Sequence, residues 1–119
     1  LGDSTYVTQT IIIEALADKG PCVIVGRCGN YVLRSYPHLV DVFLCASFED
    51  RIQRIMERYH FSEKDAAAAI KATDKRRKTY YEKYTQGRWG SIESHQMLLN
   101  VSRLGMDRTV EIIRKLYET

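Results

Sequence analysis

Three groups of residues in this chain have the chemistry to hold an anion. The first is Gly26-Arg27, which closes the apolar run "CVIV" at residues 22–25. A guanidinium offers a planar fork of donors matched to carboxylate or phosphate oxygens, and a glycine beside it lets a ligand or the backbone approach closely. The second is "DKRRKTYY", Asp74 to Tyr81, followed by Tyr84. Four successive helical residues cannot share one face, so some of Lys75, Arg76, Arg77 and Lys78 must point at solvent or at an anion. The third is Arg51, Arg54 and Arg58, spaced i, i+3, i+7 on one helical face, with Ile52, Ile55, Met56 and Tyr59 roughly opposite. Each group also has a plainer reading: an arginine paired to an acid at a sheet rim, a solvated charge run, and an amphipathic surface helix.

The elements that must position these residues can be read from the pattern. "TYVTQTIIIEALAD", starting from Asp3 or Ser4, reads as a helix stopped by Lys19-Gly20-Pro21, and is expected to pack on a sheet through Ile11, Ile12, Ala15 and Leu16. "CVIV" has no alternation, which suits a strand buried on both faces. "NYVLRSY" allows two turns of helix before Pro37, and "LVDVFLCA", residues 39–46, is a second buried strand. Ser47 with Asp50, and Ser62 with Asp65, give two helix-start signals. They open "FEDRIQRIMERYH" and a long helix running to about Tyr84. "TQGRWGS" breaks the pattern, "MLLNVS" is a third apolar run, and "GMDRTVEIIRKLYE" closes the chain with Val110, Ile113 and Leu116 or Tyr117 on one side.

Strands alternating with helices imply an α/β fold: a parallel sheet joined by right-handed crossovers, with flanking helices. Strands are expected near Cys22–Val25, Val40–Cys45 and Met97–Val101. In such sheets ligands bind outside the carboxyl ends of the strands, and Arg27 stands at one of those ends. A basic, partly flexible segment such as Asp74–Tyr81 with the "TQGRWG" break beyond it is what a lid over phosphate requires.

The bulk properties bound the reading. A chain of 119 residues fits one small domain, and 45% hydrophobic residues is ordinary for a globular protein. A net charge of +3 is too small to demand nucleic acid. No apolar run approaches the ~20 residues of a membrane span, and nothing points to export. Cys22, Cys28 and Cys45 form no CxxC pair; Cys22 and Cys45 fall inside apolar runs and are expected as buried, reduced thiols of a cytoplasmic protein.

"VIVGRCGNYVL", "VFLCASFEDRIQRIMERY", "IKATDKRRKTYYEKYTQGRWG" and "LLNVSRLGMDRTVEII", in that order and spacing, resemble the cytidylate kinase-like family of nucleoside monophosphate kinases. The resemblance runs from about Thr5 to Tyr117. It implies the P-loop NTPase (nucleotide kinase) fold over residues 1–119, with residues 62–90 as its lid region. It also implies phosphoryl transfer from ATP, with magnesium, to a nucleoside monophosphate. On that reading Gly26, Arg27, Asp74 and Lys75 bind the acceptor, and Arg76 and Arg77 are the catalytic cations that close over the transferring group. Ser102 and Arg103, in the loop 102–105, would lie near the ATP base, and no metal ligand is expected within the chain.

Two features depart from the family. No GxxxxGK[ST] occurs in the 119 residues, although that loop supplies the amides, lysine and magnesium-binding hydroxyl that hold ATP. The chain is therefore expected to be the acceptor-and-lid portion of a kinase whose P-loop half has been cut away or left out, and to be inactive alone; the alternative is a separate protein that never had a P-loop. Where family enzymes carry an acid after the acceptor arginine, this chain has Cys28, so CMP does not follow as acceptor; another small phosphorylatable molecule fits as well. The lid cations run Lys-Arg-Arg-Lys where those enzymes alternate Arg and Asp. The competing reading is a non-catalytic module that binds RNA or an acidic partner through "DKRRKTYY" and the Arg51 face, by phosphate contacts and base stacking. The kinase reading needs nucleotide substrates, no membrane and no obligatory nucleic acid.

Overall fold

Ser47 and Ser62 start the two helices that dominate the later part of the chain. In the computed structural model, which describes residues 3–118, each hydroxyl accepts a backbone N–H three residues on, from Asp50 and Asp65, at 3.1 Å. This satisfies donors that the first helical turn leaves without an internal partner. The helices so opened are α3, Phe48–Tyr59, and α4, Glu63–Thr85. Both end on non-glycine residues in the left-handed conformation, His60 (φ 57°) and Gln86 (φ 61°). The break expected at "TQGRWG" therefore begins at Gln86, ahead of either glycine.

The other elements are α1 (Asp3–Lys19), the single turn α2 (Gly29–Val32), β1 (Val42–Cys45), β2 (Met97–Asn100), the short α5 (Val101–Leu104) and α6 (Met106–Glu118). They form a helix-rich α/β arrangement whose sheet, among the described residues, has two parallel strands. Val42 pairs with Met97, Phe43 with Leu98, Leu44 with Leu99 and Cys45 with Asn100. No described helix is long and apolar enough to cross a membrane.

The described residues fall into two compact units, divided after Leu39. In the first, Ile13, Cys28 and Leu33 are buried and α1 packs on α2. Tyr36 donates to Asp18 at 2.7 Å, tying the turn after α2 to the end of α1. In the second, α3 packs along α4, and the core holds Ala66, Ile70, Tyr81 and Leu99, with Thr85 and Thr109 as buried hydroxyls. Those hydroxyls are satisfied inside their helices' own reach: Thr85 donates to Tyr81 O and Thr109 to Gly105 O, both at 2.7 Å.

Three expectations need correction. The run Cys22–Val25 is not a strand: it pairs with nothing described as a strand, and Val23 and Val25 are 87% exposed. A strand buried on both faces needs neighbours for its backbone groups and covers for both faces, and a β-branched run supplies neither by itself. For the same reason α1 does not bury Ile11, Ile12, Ala15 and Leu16; all four are exposed, Ile13 is buried instead, and the described residues of the first unit contain no strand. The thiols also exchange places. Cys22 is exposed, Cys45 half-buried and Cys28 buried, all three free. In α6 the buried position is Thr109, while Val110 is exposed.

Candidate functional site

Arg27 belongs to the first unit and is held in an unusual backbone. Gly26, Arg27 and Cys28 all have positive φ, at 69°, 58° and 60°. A left-handed glycine is free of steric strain, whereas the two residues after it are in a region that L side chains seldom enter. Gly29 N closes the turn by donating to Gly26 O at 3.1 Å, and buried Cys28 anchors it. Arg27 itself is exposed, and the space a side chain on Gly26 would enter is open. Arg27 therefore stands on a fixed turn rather than at a strand end. Burial pushes the Cys28 thiol up to about 11, so it stays protonated and faces the interior of its unit. It does not stand in for a ligand-facing acid.

In the second unit β1 and β2 end side by side at Cys45 and Asn100. The residues just beyond form a small polar cluster. Ser47 N donates to Ser102 Oγ at 2.8 Å, the two serine hydroxyls lie 3.5 Å apart, and Asn100 Oδ1 accepts from Ser102 N at 3.1 Å. Ser102 is thus placed at the carboxyl end of the sheet, and neighbouring Arg103 is exposed. The resemblance pointed to Ser102 and Arg103, whereas sequence reasoning missed Ser47 as the neighbour of Ser102. It also missed Asn100, whose side chain caps α5; a strand ending in Asn-x-Ser was the available signal.

The cations expected to belong to a lid lie along α4. Lys75, Arg76, Arg77 and Lys78 are all exposed, while Asp74 is half-buried. Asp74 does not face outward with them. Arg51 of α3 holds it through two contacts, Nη1 to Oδ2 at 2.8 Å and Nη2 to Oδ1 at 2.6 Å. The hydrogen bond to Asp74 is the main cause that raises the Arg51 pKa above its ordinary value. Arg51 is accordingly not part of a free basic surface, although Arg54 and Arg58 on the same helix are exposed.

Where α4 ends, an open cleft of about 490 Å³ is lined by Lys78, Glu82, Gln86, Arg88 and Trp89. Its polar wall is organised by backbone contacts. Glu82 accepts from Trp89 N at 3.3 Å, and Ser94 Oγ accepts from Arg88 N at 2.8 Å. Gly90 sits at φ 77° with its Cα against Phe43, so that a Cβ there would come within 3.0 Å of the ring. Phe43 in turn meets Trp89 edge to face at 5.1 Å between ring centres. Among the described residues no three of His, Cys, Asp and Glu are grouped to hold a metal ion.

The comparisons with known proteins bear on this arrangement. No curated protein matches the chain. A solved structure described as an uncharacterized protein from Eubacterium ventriosum is similar, with a TM-score of 0.89 and 28% identity over 95% of this chain. The chain spans 64% of that protein's length. The profile of the cytidylate kinase-like family matches residues 1–103, which takes in Arg27, the whole of α3 and α4 and the Ser47–Ser102 cluster. The chain belongs to the cytidylate kinase-like family.

Proposed function

We propose that this chain is the acceptor-and-lid portion of an ATP-dependent phosphotransferase, acting on a nucleoside monophosphate or a similar small phosphorylatable acceptor. The observation that carries the reading is the run of exposed cations on α4, within the family match and on the helix that ends at Gln86. Arg76 and Arg77 would close over the transferring phosphoryl group, where fixed cations stabilise developing charge. Arg27, presented on a closed turn, would take the acceptor's phosphate. Lys75 would add positive charge for the acceptor, and Ser102 with Arg103 would border the ATP base.

The residues present suit phosphate, and on this reading magnesium and the ATP β- and γ-phosphates would be held by a P-loop segment of a longer protein. The exposed apolar residues Val23, Val25, Ile11 and Leu16 are the kind of surface such a segment would cover. Asp74, which the resemblance assigns to the acceptor, is paired with Arg51. Held by Arg51, it fixes α4 against α3 and would reach an acceptor only by giving up that pair. The same pair weakens the RNA-module reading, because it removes Arg51 from the proposed basic face.

The test is a coupled ATPase and product assay on the full-length protein, with a panel of nucleoside monophosphates and the 119-residue chain in parallel. Magnesium-dependent transfer by the full-length protein alone supports the reading. Transfer by neither, with ATP bound normally, would sink it.

A further inference from the structure

A glycine amide, an imidazole and a carboxylate stand in line beside the turn that follows α4. Gly90 N donates to His95 Nε2 at 3.0 Å, and His95 Nδ1 lies 3.5 Å from Asp41 Oδ1. The His95 and Asp41 side chains are 6% and 10% exposed. The imidazole is held between rings, with Phe43 at 4.8 Å and Tyr81 at 5.7 Å between centres. An imidazole that accepts at Nε2 and faces a carboxylate at Nδ1 satisfies both in one form: proton on Nδ1, lone pair on Nε2. A second proton can go only onto Nε2, where it would point at the Gly90 N–H. Two donors would then face each other, and the Gly90 contact would be lost.

We propose that His95, as its neutral Nδ1–H tautomer, is a proton-controlled latch that positions the Gly87–Ser91 turn and hence the cleft presenting Lys78 and Arg88. Gly90 is the turn's anchor, since its left-handed backbone lies against Phe43 and its amide has His95 as acceptor. The groups that meet the imidazole are the Asp41 carboxylate ahead of β1 and the Tyr81 ring on α4, while the Glu82 carboxylate meets the turn at the Trp89 amide and shares the cleft lining with Arg88. Asp41 favours a second proton on His95 by its charge, while the amide of Gly90 opposes it by its direction. Asp41 can keep its contact with Nδ1–H in either state, so the contact given up on protonation is the one to the turn. The turn is held when His95 is neutral and released as the pH falls through its protonation. Nothing in this device depends on phosphoryl transfer.

The chain carries one tryptophan, Trp89, on this turn and against Phe43, so its fluorescence reports the turn directly. The experiment follows the His95 ring nitrogens and the Gly90 amide by NMR, and Trp89 emission, from pH 8 down to 5. The expected result is an Nδ1–H tautomer at pH 8. The Gly90 protection factor should then fall about tenfold as His95 becomes protonated, with Trp89 emission moving at the same midpoint. In His95→Gln the amide oxygen can still accept from Gly90 without titrating, so neither signal should move. An Nε2–H tautomer, an unchanged Gly90 amide while His95 protonates, or a His95 that stays neutral down to acid unfolding would each overturn the proposal. So would the same transition in His95→Gln. The tautomer and the wild-type titration decide the matter even if that variant fails to fold.

Discussion

Arg51 and Asp74 face each other with two parallel contacts, at 2.8 and 2.6 Å, across the seam between α3 and α4. The geometry is the bidentate fork of a guanidinium on a carboxylate, and both side chains are about one-third exposed, at 35% and 29%. The helices they join pack along each other, and Ile70 and Ala66 are buried on α4. A double-mutant cycle with Arg51→Gln and Asp74→Asn should therefore return a coupling of about 1 kcal/mol in urea unfolding. A coupling near zero would mean that apolar packing alone sets the seam. Lysine at position 51 should restore little of it, because an ammonium cannot make the two parallel contacts.

The buried thiol gives a pH prediction with a definite sign. Cys28 is raised from 9.0 to about 11 by burial, so the folded state favours the protonated form. Its contribution to stability is fully present below pH 9 and falls away as the pH rises through 9 towards 11. Alkylation at pH 8 should label exposed Cys22 readily and leave Cys28 untouched until the chain is unfolded. Labelling of both at equal rates under native conditions would show that the Gly26–Cys28 turn opens freely.

The helices of the second unit were legible because their signals are local. Ser47 and Ser62 lie three residues from the amides they cap, and the apolar spacing of α3 and α4 lies within each segment. β1 and β2 were legible as apolar runs, and their parallel pairing follows from the helices between them. What failed was everything that depends on a partner elsewhere in the chain. "CVIV" reads as a strand, yet sequence cannot say whether a neighbour exists to pair with it. Asp74 reads as one of a row of lid charges, because the arginine that holds it is 23 residues away. The Asp41–His95 contact spans 54 positions and leaves no local pattern at all.

Gly90→Ala should be the most damaging single-methyl change in the second unit. The glycine sits at φ 77°, and the added Cβ would come within 3.0 Å of the Phe43 ring, which is itself pinned by Trp89 and His95. Strain at a left-handed non-glycine residue and overpacking against a fixed ring each act in the same direction, together roughly 2–4 kcal/mol. Thermal unfolding followed by Trp89 fluorescence measures it. A loss below about 0.5 kcal/mol would indicate that Phe43 gives way.

Arg76 and Arg77 are adjacent on α4 and exposed, about 100° apart around the helix axis. Both could serve one polyphosphate only if the end of the helix bends or closes over it, and the chain leaves the helix at Gln86, nine residues beyond Arg77 by the numbering. In the full-length protein, Arg76→Ala or Arg77→Ala should cut turnover at saturating substrates by at least ~10²-fold, the size of effect seen when one transition-state donor is lost. Dissociation constants for ATP and acceptor should move much less, because in the proposed role these cations would act mainly on charge in transit. A module that simply binds nucleic acid would behave otherwise. The same substitutions would weaken RNA binding and reduce the slope of affinity against salt concentration, each lost phosphate contact lowering that slope by about 0.7 for a single strand. Measuring turnover, substrate affinity and the salt dependence of RNA binding in both variants separates the two. Reduced RNA affinity with intact turnover would remove α4 from the catalytic machinery.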